Sequence, residues 1–143
     1  MTFTIVGGAL VLLSLYGAVK LNRRLFLSGY CLYSILPVIG ESLGYNADKA
    51  PAHVLMIFMF VAQFLLQFPD GNIYSRDNSI AVTLATKIGL GVILINAGAA
   101  VYVLCLSTGL PATFGYYHIA FIAIMIYVMI KGLTSVSTAS WVK

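Results

Sequence analysis

Apolar positions along this chain gather into five long blocks, and the polar residues are largely confined to the breaks between them. Crossing a hydrocarbon layer of about 30 Å takes roughly 20 residues of α-helix. Blocks at about 3–19, 25–44, 52–68, 80–107 and 112–133 come close to that length. The pattern predicts an all-α, polytopic helical membrane protein, with five transmembrane helices in a single transmembrane helical domain over 1–143.

Each block carries its own punctuation. The first is followed at once by Lys20, Arg23 and Arg24 and preceded by no basic side chain, the reverse of a cleaved signal peptide, so it is expected to be retained. The second contains Pro37 and Glu41; the missing proline donor predicts a kink there. His53 opens the third, which carries Gln63 and Gln67 four residues apart on one face. Between 69 and 79 lies the longest polar connection, with Asp70, Arg76 and Asp77. The fourth runs without a charge from Ile88 to Leu106, just after Lys87, and aligns Ala81, Ala85, Gly89, Asn96 and Ala100 along one side. Phe114, Tyr116 and Tyr117 cluster near the start of the fifth and read as an interfacial aromatic belt.

Composition sharpens this picture. The 143 residues are 61% hydrophobic and 8% charged, with a mean hydropathy of +0.99, whereas soluble domains carry about a quarter charged residues. The net charge of +4 is dispersed among the breaks, so the expected partners are the lipid bilayer and other membrane protein subunits, and no nucleic acid. Basic residues also predict orientation: an exterior N-terminus and a cytoplasmic C-terminus put Lys20, Arg23, Arg24, Arg76, Lys131 and Lys143 inside and only Lys49 outside, with Lys87 at the cytoplasmic end of its helix. The expected location is the cell inner (plasma) membrane, multi-pass.

Small residues permit close backbone approach, and a buried amide can bond across helices. Gly7, Ser14 and Ala18 with Val11 on the first helix, and Ala85, Gly89, Asn96 and Ala100 on the fourth, are therefore the candidate surfaces for helix packing or partner contact. Glu41, Gln63 and Asn96 are candidates for a polar path, although Glu41 sits near a helix end, where a carboxylate can reach exterior water. His53 and His118 on separate helices are the candidate cofactor ligands, since two imidazoles at matched depth would suit a b-type haem; a helix beginning near Ala112 would instead bury His118 nearly two turns while His53 stays at its helix mouth. Cys31 and Cys105 lack a CxxC pattern and are expected to be buried free thiols, and no zinc motif, phosphate loop, nucleophile elbow or paired-carboxylate arrangement is present.

The expectation is a non-catalytic integral membrane subunit or partner of a larger inner-membrane protein complex, acting through helix–helix contacts without a cofactor. Two alternatives stand beside it: a b-type haem or pigment-binding electron-transfer subunit using His53 and His118, and a small oligomeric transporter.

Overall fold

A computed structural model describes residues 2–44, 46–68 and 79–134, with side chains described outside 79–86 and 132–134. The helices are α1 (Thr2–Val19), α2 (Arg23–Leu43), α3 (Ala50–Leu66), α4 (Ser79–Val101) and α5 (Ala112–Thr134). There is no strand among the described residues. A 3₁₀ turn, Ala47–Lys49, leads into α3, and a π-helical turn, Tyr102–Leu106, extends α4. Among the described residues, five helical segments are long and apolar enough to cross a membrane.

The first connection shows how local chemistry sets the hairpin. Leu21 adopts a left-handed φ of 53°, which lets Asn22 N–H reach Gly17 O at 2.8 Å and Leu21 N–H reach Ala18 O at 3.2 Å. That pair of bonds closes the C-terminus of α1 in a Schellman motif. Asn22 then starts α2, its Oδ1 accepting from Leu25 N–H at 3.1 Å. Helix α2 continues through Pro37.

With the chain turned so tightly, α1 and α2 meet over small residues. A Cβ added at Gly17 would stand 2.2 Å from the backbone nitrogen of Phe26, and one at Gly29 would stand 2.1 Å from Ser14 Oγ and 2.7 Å from Leu10 O. Ser14 Oγ uses the proximity to donate to Phe26 O at 2.9 Å. Helices in lipid gain little from hydrophobic exclusion of one another, so such close contact and interhelical hydrogen bonds carry the association.

In packing order the helices run α3, α2, α1, α5, α4, with a lighter α3–α4 contact completing the ring. The main core lies among α1, α2, α4 and α5 and includes Val11, Phe26, Tyr30, Tyr33, Val92, Phe121 and Met125. A smaller cluster of Met56, Phe60 and Ala99, with Val38 against it, fills the region beside α3. Tyr30 donates its hydroxyl to Phe121 O, tying α2 to α5. Tyr117 donates to Thr4 O at 2.8 Å, and its ring covers Gly7 and Gly8, where added Cβ atoms would fall 3.0 Å away.

Some sequence expectations change here. Tyr117, one of the aromatic cluster at the start of α5, packs on α1, where two glycines leave a place for its ring, while Tyr116 stays exposed. Cys31 is buried, but Cys105 is exposed on the π turn. The fourth helix keeps a helical path to Leu106 only by widening, with Ser107 N–H bonding Tyr102 O at 2.8 Å. Leu104 of that turn packs where Gly115 lacks a side chain; a Cβ there would be 2.4 Å from Leu104 Cγ.

Candidate functional site: a buried polar chain across four helices

Ser34 on α2, Gln63 on α3 and Asn96 on α4 are fully buried, and His118 on α5 is 2% exposed. Each comes inward because it shares a helical face with apolar core residues: Tyr30 and Tyr33 flank Ser34, Met56 and Phe60 precede Gln63, Val92, Ala99 and Ala100 accompany Asn96, and Phe121 follows His118. Burying four polar groups is costly unless they bond one another.

Their geometry fixes every donor and acceptor in turn. Val92 O, 2.9 Å from Asn96 Nδ2, can only accept, so the amide nitrogen is correctly placed as donor. The same nitrogen donates to Gln63 Oε1 at 2.8 Å. Gln63 Nε2 then donates to Ser34 Oγ at 2.9 Å, and Ser34 Oγ donates to Tyr30 O at 2.9 Å. At the other end Asn96 Oδ1 can only accept, so His118 Nδ1, at 2.8 Å, must carry the proton. Hydrogen bonds therefore point one way from His118 to the Tyr30 carbonyl, and their aligned dipoles reinforce one another.

That arrangement decides what the chain can do. Two of its four members are amides, which donate and accept without passing a proton along, so a simple proton wire is interrupted at Gln63 and Asn96. What the chain does provide is orientation: it holds His118 as the Nδ1–H tautomer and leaves the Nε2 lone pair as its remaining accepting or ligating atom. The imidazole lies between aromatic rings, with the Tyr33 centroid at 5.4 Å and the Phe60 centroid at 5.5 Å.

A second polar contact joins α2 to α3 near the α2–α3 turn. His53 Nδ1 stands 2.5 Å from Glu41 Oε2, with side chains 11% and 10% exposed. Glu41, near a helix end where a carboxylate can reach exterior water, is engaged by its own hairpin instead. No sequence pattern announced this pairing, because the turn that folds α3 back on α2 brings together residues twelve apart.

The two histidines are not brought together. Phe60 packs against His118, and His53 precedes Phe60 by seven residues on the same helix, about 10 Å along its axis. Two axial ligands must reach one iron, and this separation gives a shared haem no support. Among the described residues no group of three His, Cys, Asp or Glu side chains could hold a metal ion.

The candidate packing residues whose side chains are described are turned into the chain's own bundle. Gly7, Val11, Ser14 and Ala18 are buried on α1; Gly89 faces Met129 and Met125 of α5; Asn96 and Ala100 are buried on α4. Ala81 and Ala85 lie where α4 side chains are outside the described residues, as are Arg76 and Lys143. Sequence reasoning passed over Gly17, Gly29, Ser34 and Tyr33. The glycines could have been found from the small residues that recur at 14, 17 and 18 and again at 28 and 29 on either side of the first turn. Among the described residues, Tyr33 is fully buried with no partner for its hydroxyl, and Gln67 is likewise buried with Oε1 unpaired.

Comparison with protein-family models, with curated proteins and with solved structures gives no match to this chain.

Proposed function

We propose that this protein is a non-catalytic, multi-pass subunit or partner of a larger inner-membrane assembly, working through the outer faces of its helices. The observation that carries the reading is the fate of the deep polar groups. Ser34, Gln63, Asn96 and His118 bond one another, so they act as cement between helices and do not line an open path. Contacts with a partner then fall to faces left open, such as the side of α4 where a Cβ added at Gly91 would meet nothing within 4 Å among the described residues and Leu94 is 73% exposed. Gly89, in contrast, serves the fold of this chain.

In this reading the N-terminus and the α2–α3 turn are exterior, and Lys20, Arg23 and Arg24 are cytoplasmic, as the distribution of basic residues favours. Extraction from native membrane in mild detergent, followed by native mass measurement, tests the assembly role. A defined co-purifying membrane protein is expected. Recovery of this chain alone, with cross-linking in intact cells also giving no partner, would sink the proposal.

The Glu41–His53 contact favours a second reading, a small oligomeric transporter in which this pair exchanges protons at the exterior mouth. Reconstituted vesicles containing a pH-sensitive dye separate the two. Proton flux abolished by Glu41→Gln would promote the transporter, and absence of flux would remove it.

A further inference from the structure

We propose that the π turn at the end of α4 is a two-state register switch, in which Leu104 and Leu106 exchange places and Gly115 of α5 holds the state observed. The buried positions Asn96, Ala99, Ala100 and Val103 of α4 recur at the spacing of three or four residues that marks one face of an α-helix. Continued without a break, that spacing brings Leu106 onto the same face. Leu106 is instead 69% exposed. The cause is the wide turn over Tyr102–Leu106, closed by the 2.8 Å bond from Ser107 N–H to Tyr102 O, one residue farther back than the carbonyl an α-helix would use. One extra residue in a turn delays everything after it by one helical step, about 100°.

A π turn is rare, so a specific contact has to hold it. Leu104 supplies one by lodging over Gly115, where an added Cβ would lie 2.4 Å from Leu104 Cγ and 2.6 Å from Cδ2. Any larger residue at 115 would push that side chain out. Ser107 fixes the chain beyond, its Oγ accepting from Leu110 N–H at 3.2 Å and from Gly109 N–H at 3.4 Å. Rewinding the turn into α form moves the Ser107 N–H bond from Tyr102 O to Val103 O, lifts Leu104 off Gly115 and swings Leu106 onto the face of Ala99 and Val103. That backbone bond is exchanged rather than lost and one leucine replaces another, so the Gly115 contact is what separates the two registers. A gap that rests on one contact leaves the second register within reach, to be favoured by whatever meets the exposed side of this turn. Gly115 precedes His118 by three residues on α5, so the switch lies within one helical turn of the buried polar chain.

The full chain in mild detergent, carrying Cys105→Ser and Leu106→Cys, reports its register through the rate at which N-ethylmaleimide alkylates the thiol at 106. Cys31, which is buried, shows in the same sample whether the bundle is folded, and peptide mass spectrometry separates the two sites. The thiol at 106 should react readily in this background. Gly115→Ala should shift the registers toward the α form by roughly tenfold and slow labelling at 106 by about threefold or more, with Cys31 still protected. Leu104→Ala removes the leucine without introducing a clash and should slow labelling as well. Gly109→Ala, whose Cβ meets nothing within 4 Å among the described residues, should change nothing. Labelling at 106 that stays as fast in both Gly115→Ala and Leu104→Ala, while Cys31 remains protected, would overturn the proposal. Should Gly115→Ala expose Cys31, the bundle has opened and Leu104→Ala decides alone: slower labelling upholds the switch, and an unchanged rate removes it.

Discussion

Asn96 on α4 and Gln63 on α3 are joined amide to amide at 2.8 Å across the lighter α3–α4 seam that completes the ring of helices. The apolar contacts between these helices include the small cluster around Met56, Phe60 and Ala99 and the approach of Met59 to Gly98, and this bond adds a polar link between the same two helices. Replacing Asn96 by Ala strands Gln63 Oε1 and His118 Nδ1 in a buried setting. A loss of about 2–3 kcal/mol is expected in equilibrium unfolding from mixed micelles. Gln63→Leu in the Asn96→Ala background should cost much less than alone, because the partner is already missing. Strict additivity of the two would show that the bond contributes nothing.

Gly29 tests the closeness of α1 and α2. Its Cβ would stand 2.1 Å from Ser14 Oγ and 2.7 Å from a backbone oxygen that cannot rotate away, so Gly29→Ala should lower stability by about 1–3 kcal/mol. Gly91→Ala meets nothing within 4 Å among the described residues and should be neutral or stabilising by up to about 1 kcal/mol. Thermal melts of the two variants in one detergent should therefore move apart, and equal shifts would contradict the packing described.

Tyr33 makes a prediction of opposite sign to most core substitutions. Its hydroxyl is fully buried and has no partner among the described residues, so Tyr33→Phe removes a desolvated group without leaving a cavity and should raise stability by about 1 kcal/mol. A measured loss would reveal a partner for the hydroxyl, such as a bound water.

Glu41 and His53 hold the α2–α3 turn from the side of its helices. Glu41→Ala leaves the imidazole nitrogen without its carboxyl partner and should cost about 1–2 kcal/mol, with Glu41→Gln recovering part of that through its remaining acceptor. Hydrogen exchange at the start of α3 reads the effect directly. Faster exchange over 50–56 in Glu41→Ala is expected, and unchanged exchange would mean that the contact does not hold the turn.

Much of this architecture is legible from residue order because a bilayer imposes a length rule on apolar runs. Helix boundaries read from hydropathy lie within two residues of those observed, except at the end of the fourth, where the α-helix stops at Val101 and a π turn carries on to Leu106, and the inward face of α1 follows from Gly7, Val11, Ser14 and Ala18 recurring at helical spacing. Spacing within a helix is a local property, and it survives without knowledge of neighbours. Which helix each face meets is not local. Gly89 could have faced a partner protein, and only the fold sets it against Met129. The polar residues show the same division: Gln63, Asn96 and His118 are visible as deep and polar, but Ser34 looks like any serine until Gln63 Nε2 is placed 2.9 Å from its hydroxyl. Hydrogen bonds act over about 3 Å, and the members of this chain are separated by 22 to 33 residues. Distance in sequence carries no record of such pairings, which arise only when four helices are packed in one order and one register.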